Sequence, residues 1–176
     1  RRARRAAVSR RAQLRDGLFM TIYLAPFNYH RIHMALAGTL VGACYVPGRL
    51  FSVNDTSARL VPDLFARNER VILEFAGARG RYALVMVGAL FVGSMSTVWH
   101  GDIAPRRARD PAPLPLPGPA AAATLPRGAE LGRFNMGSTV ILLLPRTAGA
   151  WDDTLAALSL LRVGQRIGAL APAAQA

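Results

Sequence analysis

Between Leu18 and Thr97, short β-prone runs alternate with Gly, Pro and Asn punctuation: LFMTIYL, GTLVGACYV, RLFSV, RVILEF, YALVMVGALFVG and STVW. Pieces of this length are too short for stable helices and match the length of strands. The pattern therefore predicts a mainly β (α+β) fold with short helices. A chain of 176 residues suits one compact domain and leaves little room for two. The stretch from Tyr82 to Val98 carries no charge and touches the lower length limit of a membrane-spanning helix. Its β-branched residues, Gly88 and Gly93, and the preceding Arg81 favour two buried strands instead.

The flanking segments differ in kind. Residues 1–15 hold seven arginines and no acid, a large part of the formal net charge of +12. Arg10 and Arg11 interrupt any apolar stripe through Ala3, Ala7 and Leu14, so the segment reads as a basic arm. No apolar h-region follows its charges, so it does not read as a secretory signal. The chain begins with Arg, which suggests that an upstream portion is missing. All 22 basic residues are Arg, a bias most simply traced to a GC-rich coding sequence. Attraction of the arm to an anionic membrane is the functional reading. Nucleic acid is not expected as a partner, because the arginines lack interleaved aromatics and no nucleic-acid fold motif is present. One cysteine, Cys44, excludes an intrachain disulfide, and with three His it supplies no Cys-rich zinc site.

Residues 16–104 form the first part of the expected domain. Residues 105–127 are rich in Pro and Ala and read as an exposed linker with no regular ladder. Residues 128–176 complete the domain: Gly132–Leu144 reads as a loop feeding an apolar strand, and Asp152–Val163 has helical spacing with Gly164 beyond its end. Two further features carry chemistry. His30 and His33 share a face only if the backbone between them is helical or turned, and Pro26 is a plausible first helical residue. A Gly137-Ser138-Thr139 triplet precedes the apolar strand, a weak signal by itself.

YLAPFNYHRIHM, YVPGRLFSVN, LFARNERVI, LVMVGALFVGSMSTVWHG, ELGRFNMGSTVILL and LRVGQRIG together resemble the pyruvoyl-dependent phosphatidylserine decarboxylases, especially the bacterial type. The likeness covers about residues 16–104 and 128–170. It implies self-cleavage at Gly137-Ser138, with Ser138 as the precursor of a covalent pyruvoyl group and Gly137 as the end of the released β chain. It also implies that His33 is the base for cleavage, that His30 assists decarboxylation, and that no metal or diffusible cofactor is needed. The pyruvoyl carbonyl then takes the amine of phosphatidylserine and serves as the electron sink for loss of CO2, giving phosphatidylethanolamine. The implied partners are phosphatidylserine, the α and β chains of one precursor, and a possible homodimer. The implied location is the cytoplasmic face of a bacterial membrane, held peripherally.

Departures from the family pattern are equally specific. The family's triad acid belongs to an upstream motif without counterpart here, and the surroundings of Asp16 do not resemble it. Ala25 stands where Ser commonly caps the short helix, Ala35 replaces a frequent Pro, and Ala76–Gly80 replaces an acidic turn. The chain reads as a carboxy-terminal two-thirds of such an enzyme. The alternatives are a truncated non-catalytic relative and a basic membrane-binding module. His100 and Cys44 read as structural, and Phe51, Phe65, Trp99 and Phe134 as core aromatics. Asn54, Asn68 and Glu69 read as buried hydrogen-bonding groups, and Phe19, Met20, Tyr23 and Leu24 as a possible acyl-chain contact.

Overall fold

The computed structural model describes residues 14–90, 95–103, 110–119, 122–135 and 137–172. The arm expected over residues 1–15 lies almost wholly outside them. The molecule is β-rich, as the run pattern predicts. Its main sheet is built from β1 (Leu18–Tyr23), β3 (Gly38–Val46), β4 (Arg70–Gly77), β5 (Gly80–Val87), β8 (Ala112–Pro113), β9 (Thr124–Leu125) and β11 (Thr139–Leu144). The order is β1-β11-β5-β4-β3, with β8 and β9 both paired to β3. A second sheet has the order β2-β10-β6-β7, from Arg31–His33, Glu130–Phe134, Met95–Thr97 and Gly101–Ile103. A small ribbon pairs β12 (Gly149–Trp151) with β13 (Gly168–Leu170). Two short helices, α1 (Asp55–Leu60) and α2 (Leu64–Arg67), link β3 to β4.

β4, the predicted run RVILEF, alternates as a strand with one buried face does. Val71, Leu73 and Phe75 point inward while Arg70, Ile72 and Glu74 between them are half-buried. β5 is buried on both faces from Tyr82 to Val87, the behaviour expected of a charge-free run in a sheet interior. The β4–β5 hairpin closes over Ala78 and Arg79, and Gly80 takes a φ of 97°, where a side chain would be strained. Residues from both sheets, among them Met95, Leu131 and Phe134, share one core with Leu73 and Phe75. Trp99, after β6, lays its ring against Phe75. Phe134 is fully in the core, while Phe51, Phe65 and Trp99 pack half-buried on its edge.

Tyr82–Val98 supplies β5 and β6, as expected. Among the described residues no helix is long and apolar enough to cross a membrane.

Four expectations are corrected. Part of the proline-rich tract does form ladder: β8 and β9 pair with β3, Leu114 N donates to Ala43 O, and Leu40 N donates to Ala123 O. Leu114 and Ala123 are buried. Proline is tolerated there because β8 is an edge strand, where one missing donor breaks no two-sided ladder. Glu130–Phe134 is a strand rather than a loop. RLFSV makes no strand, only an isolated bridge between Arg49 and Asn68.

Asp152–Val163 is not a helix. It is a series of tight turns, closed by Leu155 N to Asp152 O, Ser159 N to Ala156 O and Gln165 N to Arg162 O. Local side chains take the backbone groups a helix would use. Asp152 accepts from Thr154 N, Ser159 Oγ accepts from Ala156 N, and Gln165 accepts from Arg162 N. Leu158 sits at a φ of 68°, incompatible with a continuing right-handed helix.

Candidate active site

The Gly137-Ser138 bond lies where three strands end together. β11 runs between β1 and β5, with Thr139 opposite both Tyr23 and Val87. Ser138 extends this register by one residue: Leu24 N donates to its carbonyl at 2.7 Å. Its side chain is fully buried, and its hydroxyl donates to the carbonyl of Val87. Gly137 is pressed against the chain leaving β1. A Cβ there would meet Leu24 O at 2.6 Å and Pro26 N at 2.8 Å, so only glycine fits.

Residues 24–30 connect β1 to β2 across this segment. Leu24 is tied to Ser138 at one end, and His30 O accepts from Phe134 N at the other. The loop is a turn and not a helix: Asn28 N donates to Ala25 O, and Ala25 N donates to the Asn28 side chain. Pro26 therefore starts no helix, and Ala25 leaves no cap unmade, since Asn28 bonds its N–H. The histidines consequently do not sit on successive turns of one helix face. His30 precedes β2, and its Nε2 is buried without a hydrogen-bond partner. His33 ends β2, opposite Glu130.

Both ring nitrogens of His33 are engaged. Nδ1 lies 2.9 Å from Gly128 O and Nε2 lies 2.8 Å from Tyr29 Oη, with the Tyr29 ring stacked at 5.7 Å. A carbonyl can only accept, so Nδ1 carries the proton; in the neutral ring Nε2 keeps its lone pair and receives the tyrosine O–H. No nitrogen of His33 is left for Ser138 in this conformation. Beside His33, Arg31 holds Glu130 through both carboxylate oxygens at 2.7 Å.

The floor beneath Ser138 is a buried polar network. Asn68 is wholly buried, donates to Phe51 O and Gly88 O, and accepts from Phe51 N. Gly88 N donates to Glu69 O, and Tyr45 donates to the Glu69 carboxylate at 2.8 Å. Burial pushes the Glu69 carboxyl up, and the Tyr45 bond opposes that shift. The network fixes Gly88, the neighbour of the carbonyl that receives Ser138. Asn68 and Glu69 are thus buried hydrogen-bonding groups as expected. Asn54 instead caps α1 from an exposed position, accepting from Ser57 N.

Sequence reasoning did not find Tyr29, Gly128 or Val87. Two of them act through a backbone carbonyl, which leaves no residue-type signal. His100 is structural: its ring joins Thr97 to Pro115 O and ties the proline-rich tract to β6. Cys44 is half-buried, and burial is the main cause raising its thiol. Beside Ser138 Tyr23 and Phe27 are exposed, Phe27 to 88%, whereas the exposed Phe19 lies at the far end of β1, opposite Leu143.

Comparison with known proteins identifies the family. Residues 3–169 match the family model for phosphatidylserine decarboxylase. The phosphatidylserine decarboxylase proenzyme of Ectopseudomonas mendocina is 48% identical over 159 residues, covering 90% of this chain and 56% of the relative. That of Pseudomonas fluorescens is 50% identical, covering 86% and 53%, and that of Nitrosococcus oceani 48%, covering 95% and 54%. The chain thus spans just over half the length of these relatives, less than the two-thirds expected. With most of its length matched by the family model, the chain belongs to the phosphatidylserine decarboxylase family.

Proposed function

We propose that the chain carries the self-cleaving centre of a phosphatidylserine decarboxylase, which converts phosphatidylserine to phosphatidylethanolamine and CO2. The observation that carries this reading is the Gly137-Ser138 bond itself. It is held between three strand ends, with no space for a Cβ at Gly137 and the Ser138 hydroxyl buried. In cleavage, Ser138 Oγ attacks the Gly137 carbonyl, the peptide C–N bond gives way to an ester, elimination releases the Gly137 carboxylate and leaves dehydroalanine, and its hydrolysis by water releases ammonia and leaves the pyruvoyl group. Serine is a weak nucleophile and needs a positioned base. His33 is that base: Gly128 O fixes its tautomer, the orienting role an acid plays in a Ser-His-Asp triad. Its Nε2 must leave Tyr29 to reach Ser138. His30, with Nε2 buried and unpartnered, moves a proton at the decarboxylation stage.

The residues fit a pyruvoyl group derived from Ser138: Leu24 N would hold its amide carbonyl at the strand ends. When formed, that group supplies the electron sink for loss of CO2. The α and β chains stay together after cleavage because β11 remains laddered between β1 and β5. The substrate is a lipid, so the enzyme works peripherally at a membrane, at the cytoplasmic face of a bacterial cell. The exposed Tyr23 and Phe27 beside Ser138 support approach from this side.

Intact mass of protein expressed from its full reading frame tests the reading. One fragment should end at Gly137 and the other should carry a blocked terminus. Ser138→Ala and His33→Ala should leave a single precursor, whereas His30→Ala should cleave but lose decarboxylation. An uncleaved wild-type chain overturns the proposal, and equal processing defects in both histidine variants overturn the division of roles.

A further inference from the structure

A second site lies at the opposite end of the main sheet. The tip of the β4–β5 hairpin, the turn after β11 and the end of β13 enclose a cavity of about 220 Å³. The six residues of β11 separate it from Ser138 by about 20 Å at ~3.3 Å per residue. Its walls are largely apolar, from Leu36, Tyr82, Leu144, Pro145, Ala148 and Leu170. Tyr82 turns its hydroxyl to Leu36 O and offers the cavity little polarity.

Two charges break this apolar lining, and both are positive: Arg79 on the hairpin tip and Arg127. No acidic residue lines the cavity. The Nε of Arg79 is buried and has no hydrogen-bond partner. A buried guanidinium donor left unsatisfied is costly, and a bound anion removes that cost. Cationic groups over an apolar hollow match a ligand with a negative head and a hydrocarbon body. The volume equals roughly seven waters at ~30 Å³ each, enough for a headgroup or a short run of methylenes but not for a whole lipid.

We propose that this cavity binds an anionic amphiphile: a phosphate or carboxylate held by Arg79 and Arg127, with the start of one alkyl chain against Leu36, Leu144 and Leu170. The site is separate from the cleavage centre and does not depend on the decarboxylase reading. It would let the protein sense or hold an anionic lipid while Ser138 works elsewhere.

Calorimetric titration of the chain with decyl phosphate below its micelle concentration, inorganic phosphate and decanol tests this. Decyl phosphate should bind one per chain, at least tenfold tighter than either part alone. Arg79→Gln and Arg127→Gln should each weaken it about tenfold, or ~1.4 kcal/mol. Arg81→Gln, on an exposed position outside the lining, should change little. Ser138→Ala should bind as the wild type does, so failure of the cleavage reading and failure of this one are distinguishable. Equal binding of inorganic phosphate overturns the amphiphile and leaves a simple anion site. Decyl phosphate affinity unmoved by both arginine variants, or no binding at all, overturns the site.

Discussion

β5 and the segment 152–163 are both rich in Leu, Ala and Val, and they fold in opposite ways. In β5 every residue from Tyr82 to Val87 is buried, because β4 and β11 satisfy its backbone on both edges. In the later segment Leu158, Leu160 and Val163 stand exposed, Leu160 to 96%. Its backbone is satisfied locally by turns and by Asp152, Ser159 and Gln165. Apolar composition supplies a tendency to be buried. Whether burial happens depends on finding a partner that also meets the backbone's hydrogen bonds.

The widest separation should come from paired truncations. Leu73→Ala, at a fully buried position in β4, should cost about 2–5 kcal/mol, because a well-packed site leaves a cavity. Leu160→Ala should stay within about 0.5 kcal/mol. Urea unfolding of the two variants decides it, and equal losses would mean that the later segment is buried in solution.

Asn68→Ala probes whether the main sheet is also held by polar contacts. It strands Phe51 N, Phe51 O and Gly88 O and should cost about 1–3 kcal/mol. Because Gly88 adjoins Val87, cleavage at Ser138 should slow as well. Stability lost with cleavage unchanged would separate the network from the site.

The smallest effect concerns Glu69. Its carboxyl is raised above the ordinary 4.5, chiefly by burial, so the folded state holds the proton more tightly than the unfolded chain does. Its contribution is complete below the unfolded value and falls as pH rises through the folded one. Glu69→Gln should therefore gain stability relative to wild type as pH rises above about 4.5. Parallel pH profiles for the two proteins would show that Glu69 does not titrate differently on folding.

Chain order alone determined the local alternation along β3 and β4 and the unbroken apolar run of β5, since side-chain direction along a strand follows from backbone geometry. Gly137, Ser138 and the two histidines were singled out through the family resemblance, and the buried role of Asn68 and Glu69 was legible as well. Tertiary structure decided everything that needed a distant partner. The free edge of β3 turned Ala112–Pro113 and Thr124–Leu125 into strands, and the lack of such an edge left Asp152–Val163 in turns. The same holds for the site. His33 obtains its orientation from Gly128, ninety-five residues along the chain, and Ser138 its acceptor from Val87 on a neighbouring strand. Both partners are backbone carbonyls, which every residue possesses, so only packing could select which ones serve.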